Sequence, residues 1–181
     1  YALIVAFGFF TINIGVMLLH TVPYIVDSGF TLSDAGWVVF TVSVPAMLSK
    51  PVWGYFIDRS PAKPLAAISA AVTGLALFLI VLAVSYHEFV WVLLAFVVLG
   101  FGWGGMIPLQ EVIWASFFGR RFLGSIRGAA MPFSLLLGAP APALVGYYHD
   151  LSGRYDEALL IVASLNVLSG VLIFLAPAPR R

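Results

Sequence analysis

Along the chain, apolar runs of membrane-spanning length alternate with short polar breaks. The first run covers residues 2–26 and ends in Asp27-Ser28-Gly29-Phe30-Thr31-Leu32-Ser33-Asp34. A second, 35–57, stops at Asp58-Arg59-Ser60-Pro61-Ala62-Lys63, and a third, 64–84, at Ser85-Tyr86-His87-Glu88. The fourth extends over 89–118, long enough to tilt or protrude from a bilayer. A basic loop, 119–127, precedes the fifth at 128–148, and the sixth covers 157–176. A spanning helix needs roughly 20 apolar residues at 1.5 Å each, so each run predicts one helix. Period-2 alternation in ten-residue blocks is absent, and a β-barrel is not supported.

Composition narrows the class. Apolar residues make up 62% of the 181 and charged residues 9%, far below the roughly 25% of a soluble domain. That much apolar surface cannot be hidden by a chain of this length, so lipid must be the solvent over much of the outside. A soluble enzyme, a nucleic-acid binder and a disordered tail are excluded, and a net charge of +1 offers nothing to a polyanion. With no Cys there are no disulfides and no thiolate metal sites. His20, His87 and His149 stand apart without a partner at ligand spacing, so neither a metal nor a cofactor is expected. The chain opens Tyr-Ala-Leu-Ile inside an apolar run, with no Met and no basic segment, and reads as a fragment of a longer protein.

Charge sets the orientation. Lys50, Arg59, Lys63, Arg120, Arg121, Arg127, Arg180 and Arg181 fall at one side of the alternating spans. Only Arg154 falls on the other, with Asp27, Asp34, Glu88, Asp150, Asp156 and Glu157. The positive-inside rule then puts both ends in the cytoplasm of a cell-membrane protein.

Between the second and third spans, Gly54, Asp58, Arg59 and Lys63 resemble the signature loop of the major facilitator superfamily, G-x-x-x-D-R/K-x-G-x-x-K/R. Pro61 stands where the family has its inner glycine. Read physically, Gly54 permits a close helix crossing and the two basic residues anchor the surface, with Asp58 free to pair with them. The segments 118–128, 138–142 and 146–155 are similar to the loop before that family's penultimate helix and to that helix, which ends G-x-x-x-D-x-x-G-x-Y. The resemblance implies an all-α membrane fold of six transmembrane helices, arranged as a 3+3 inverted repeat. That is the C-terminal half of a major facilitator carrier, whose other half is a missing N-terminal set of six helices. It also implies secondary active transport of a small solute by rocking between halves. The likeness is to the monocarboxylate and oxalate/formate group, which makes the expected solute an organic anion such as a monocarboxylate or dicarboxylate, with protons as a co-transported partner. Two other six-span classes fit less well. An intramembrane protease needs a Gly-x-Ser nucleophile, and Ser134 and Ser169 lack that setting; a channel module needs a filter loop, and the break 150–156 is too short.

The resemblance places the first and fourth spans along the cavity, and the intramembrane polar residues gather there: Asn13 and His20 in the first, Gln110 and Glu111 in the fourth. Glu111 is the costliest, since a carboxylate at depth must be paired, hydrated or protonated. It is a candidate proton carrier, or else a partner of Lys50 or Arg120. His20 reads equally as a titrating group and as a hydrogen-bonded helix-end side chain. Asn13 reads as packing glue or ligand. Lys50 is expected to snorkel, and the fifth span, read as 128–148, carries no charge. Gly100 and Gly104 form a packing step and not a nucleotide loop. Pro108, Pro140 and Pro142 are expected to kink their helices. Trp37, Trp53 and Trp114 read as interfacial belt residues.

Overall fold

In hydrocarbon every backbone N–H and C=O must be satisfied within the chain, which leaves helices as the form open to long apolar runs. The computed structural model describes residues 2–119, 121 and 123–177. Among these it has α1 Ala2–Asp27, α2 Leu32–Ile57, α3 Ala62–Ser85, α4 Phe89–Phe118, α5 Leu123–Gly138, α6 Pro140–Ser152 and α7 Asp156–Leu175. Helices α5 and α6 are two parts of one broken span, so six stretches are long and apolar enough to cross a membrane. The tail 178–181, with Arg180 and Arg181, and also Arg120 lie outside the described residues.

Local chemistry sets the helix ends. Helix α2 begins at Leu32, three residues before its apolar run, because Thr31 and Asp34 form a reciprocal cap. Asp34 N–H donates to Thr31 Oγ1 at 3.1 Å, and Thr31 N–H to the Asp34 carboxylate at 2.9 Å. Gly119, at φ 79°, ends α4 in a backbone conformation that side-chain-bearing residues avoid.

The fifth span departs from the sequence reading in two ways. It is helical from Leu123 and not from 128, which moves Arg127 out of a loop and into a helix. It also breaks at Ala139, because Pro140 and Pro142 carry no N–H and leave the carbonyls of Leu136 and Gly138 without their helical donors. At the break, Gly138 lies so close to α1 that a Cβ there would come within 2.6 Å of Thr11.

Helices α3 and α7 pack along each other at the centre; α1 packs on α5 and α7, and α4 on α2 and α3. Exchanging the first three spans for the last three maps this set of pairs onto itself, as an inverted repeat requires. Single bonds repeat the same relation. Ser69 of α3 donates to Gly102 O of α4 at 2.8 Å, and Ser169 of α7 donates to Ala6 O of α1 at 2.8 Å. Gly74 of α3 faces Ala163 O of α7, and Gly170 of α7 faces Ala67 O of α3.

The Gly100–Gly104 step is a packing surface. A Cβ on Gly100 would press on the Val42 carbonyl, and one on Gly104 on Ser49 Oγ and Ala46 O. Apolar tails bring helices together no more strongly than they solvate them, so close backbone approach is what holds this pair. Gly104→Leu should therefore lower stability by about 3 kcal/mol or more, at the upper end of overpacking costs, whereas Gly36→Leu, with nothing within 4 Å of its Cβ, should be neutral. Thermal unfolding of the two purified variants in detergent checks this; equal midpoints would remove the packing role.

Three local expectations are corrected here. Gly54 permits no close crossing within this chain, since nothing lies within 4 Å of a Cβ placed on it. Trp53 is buried and donates from Nε1 to Phe101 O at 2.9 Å, in the notch that Gly105 leaves open. Trp114 is buried too, with its ring 5.7 Å from that of Phe7. Of the three tryptophans read as belt residues, Trp37 alone is exposed.

The breaks sort by charge into two ends of the bundle. One carries Arg59, Lys63, Arg121 and Arg127, and there Leu3, Trp114 and Ala176 meet. The opposite end carries Asp27, Asp34, Glu88, Asp150, Asp156 and Glu157, with Arg154 as its basic residue.

Candidate functional site

Near the basic end, α1, α4 and α5 leave a cleft of about 210 Å³ between them. Its polar lining comes from all three helices: Thr11 from α1, Gln110 and Trp114 from α4, Arg127 and Ser134 from α5. Two of these hydroxyls are tied to backbone, Thr11 to Phe7 O at 2.9 Å and Ser134 to Ile4 O at 3.3 Å. They hold the wall in shape and leave the guanidinium of Arg127 as its charged donor.

Arg127 is held in turn by Glu111, one residue beyond Gln110 on α4. Arg127 Nη1 and Glu111 Oε1 are 2.5 Å apart, with 34% and 42% of the respective side chains exposed. Glu111 stands seven positions before Phe118, the last residue of α4, and Arg127 four positions after Leu123, the first of α5. At 1.5 Å per residue the pair lies about 6–10 Å inside the helix ends. In water such a half-exposed pair would contribute at most about 1 kcal/mol, and it gains in weight wherever lipid replaces water around it. The partner of Glu111 is thus Arg127, and not Lys50.

Of the four pathway residues read from the sequence, the structure brings Gln110 and Glu111 to this cleft and the other two elsewhere. Asn13 is fully buried between α1 and α4, where its Oδ1 accepts from Trp103 Nε1 at 2.8 Å. Its Nδ2 has no partner among the described residues. His20 sits in the half of α1 nearer the acidic end, away from the cleft, with Nε2 2.9 Å from Pro142 O across the α1–α6 contact. That is the hydrogen-bonded reading of this histidine. The cleft is also lined by Arg127, Thr11 and Ser134, which the sequence does not mark as pathway candidates. In the sequence Arg127 falls in the basic loop 119–127, and hydroxyls in apolar helices carry no signal of which face they take.

The signature loop forms the turn between α2 and α3. Asp58 caps α2, its N–H donating to Gly54 O at 3.1 Å. Arg59 folds back over the Tyr55 ring, 3.7 Å from its centroid, and donates to Tyr55 O at 3.3 Å. Lys63 lies in the first turn of α3. All are remote in sequence from the cleft residues and lie at the rim of the basic end.

Six membrane-length stretches paired as in an inverted repeat make the architecture of a multi-pass membrane domain. The sequence matches the Major Facilitator Superfamily over residues 2–181, and the chain belongs to that family. It is 28% identical over 163 residues to monocarboxylate transporter 11 of Homo sapiens, an alignment covering 87% of this chain and 34% of that protein. The chain thus spans about a third of the length of the curated relative it matches.

Proposed function

We propose that this chain is the C-terminal six-helix half of a secondary transporter that moves small organic anions, mono- or dicarboxylates, together with protons by alternating access. The observation that carries the reading is the Glu111–Arg127 pair beside the cleft of α1, α4 and α5. A guanidinium recognises a carboxylate through two parallel hydrogen bonds, which makes Arg127 the anion-binding group. When substrate takes Arg127, Glu111 loses its counter-charge, and a proton restores neutrality at a depth where a lone carboxylate is costly. Anion and proton then occupy the site together. Likeness to a protein named a monocarboxylate transporter supports the same solute class. The full-length protein in proteoliposomes should take up a radiolabelled monocarboxylate when the acidic-end side is made more acidic, and a protonophore should abolish the accumulation. Accumulation unaffected by the protonophore would sink proton coupling.

A second, N-terminal half is part of this proposal. The second and fifth spans have only 22% and 28% of their apolar windows buried, against 44–50% in the other four. Those two spans would supply the surfaces on which the second half closes. Asp58, Arg59 and Lys63 would then act at the rim where the halves separate, on the conformational equilibrium and not on substrate.

The basic end is proposed to face the cytoplasm. The chain has no Cys, so single cysteines at Ser33, Ser60, Ser125 and Ser152 report the sidedness directly. An impermeant thiol reagent applied outside intact cells should label positions 33 and 152 alone. Labelling at position 60 would reverse the orientation.

A further inference from the structure

At the acidic end, far from the Glu111–Arg127 pair, a second group of ionisable side chains joins α1 to α6. His149 of α6 stands between two carboxylates: its Nε2 is 3.1 Å from Asp27 Oδ2 of α1, and its Nδ1 is 3.8 Å from Asp150 Oδ1. The Tyr155 ring stacks on the imidazole, centroids 4.0 Å apart and 13° from parallel. We propose that this junction is a proton-binding site, with His149 holding the proton between Asp27 and Asp150, and that its occupancy locks α6 onto α1.

A neutral imidazole ring carries one N–H. If Nε2 donates to Asp27, the bare lone pair of Nδ1 faces the Asp150 carboxylate. A proton added at Nδ1 turns that contact into attraction, so the imidazolium serves both carboxylates while the neutral ring serves one. The face of Tyr155 adds a cation–π surface to the charged form. Burial, and after it the negative charges of Asp27 and Asp150, hold the Tyr155 phenol above its ordinary range, so it stays a neutral ring. Both carboxylates therefore act electrostatically at this point.

Most other charged and ionisable groups around the junction have partners of their own. Arg154 is bound to Asp156, Nη2 to Oδ2 at 3.0 Å, and Tyr24 of α1 donates to the other Asp156 oxygen at 3.3 Å. Tyr148 donates to Glu157 of α7. His20 is tied to Pro142 O, while His87 lines the same cavity as Asp27 and makes a ring contact with Phe30 at 5.8 Å. Among the described residues, the ion-pair contacts of Asp27 and Asp150 both run to His149.

What the proton would move follows from the broken span. Helix α6 is separated from α5 by the interruption at Ala139, where two prolines remove the helical bonds. Its ties to α1 are the His20–Pro142 contact near its start and the His149–Asp27 contact near its end. Strengthening the second tie fixes the outer arm of the span.

Spin labels on Leu19→Cys of α1 and Leu151→Cys of α6, both at exposed positions, read the α1–α6 distance in the full-length protein in nanodiscs. At pH 5.5 one narrow distance should dominate. At pH 7.5 a longer distance should gain roughly tenfold in population relative to the short one, the factor that one hydrogen bond to a charged group carries. His149→Gln should remove the pH response, and Asp150→Asn should reduce it. Glu88→Gln, at a carboxylate of the same end that lies outside the junction, should leave it intact. A wild-type distribution that does not change with pH, or a response that persists in His149→Gln, would overturn the proposal.

Discussion

Replacing Arg127 with alanine in the full-length protein should lower carboxylate uptake about a hundredfold, the loss of roughly 2.7 kcal/mol that removal of a bidentate charged contact implies. The same change strands Glu111 at membrane depth, so poorer expression is a separate expected cost. A second variant distinguishes the two effects. Glu111→Gln with Arg127→Gln leaves no charge unpaired and should recover expression, but it restores nothing that binds an anion. If the pair only holds α4 to α5, the double variant should transport as the wild type does, and the anion-binding role is lost. Arg127→Lys provides a finer test, because it keeps the charge and removes the planar fork. Uptake should fall between that of wild type and Arg127→Ala. Initial rates in proteoliposomes, normalised to inserted protein, check all three.

The fifth span shows where the sequence stopped being a guide. The other runs could be read as helices because lipid allows them little else, and their ends carry strong markers such as the Thr31–Asp34 cap and Gly119. In the segment 119–128, Gly119, Gly124 and Gly128 lie among arginines, a pattern that in water marks a loop. At a membrane surface the same residues can begin a helix, since arginine reaches the headgroups along its stem and glycine is tolerated in spanning helices. The span therefore starts at Leu123, five residues before the point the glycines and arginines suggest, and this start brings Arg127 into α5, where it partners Glu111.

Depth and face explain the remaining differences. Glu111 could be picked out by type alone, because a carboxylate in an apolar run demands a reason. Trp53 and Trp114 could not be placed by type, since an indole serves equally in an interfacial belt or in a notch beside a glycine. The Gly105 gap that receives Trp53 lies 52 residues away on another helix. The His149–Asp27 contact was invisible for the same reason. Its residues stand at the ends of separate spans, and only the packing of α6 on α1 brings them together.

The 181 residues alone, reconstituted in lipid vesicles, should show no saturable uptake of the solute carried by the full-length protein. In the two-half proposal the cleft of α1, α4 and α5 is one wall of a cavity, and alternating access needs a second wall to rock against it. The large apolar side chains left exposed on α2 and α5, among them Trp37, Phe40, Met47, Phe133 and Leu136, fit surfaces that a second half would cover. Two copies of the chain could meet through those surfaces and offer the missing wall by symmetry. The experiment therefore needs cross-linking beside the flux measurement. Absence of uptake in vesicles where the chain is inserted and helical by circular dichroism supports the half-carrier reading. Saturable uptake by a cross-linkable dimer would show that one kind of half suffices, and the requirement for an N-terminal mate would be withdrawn.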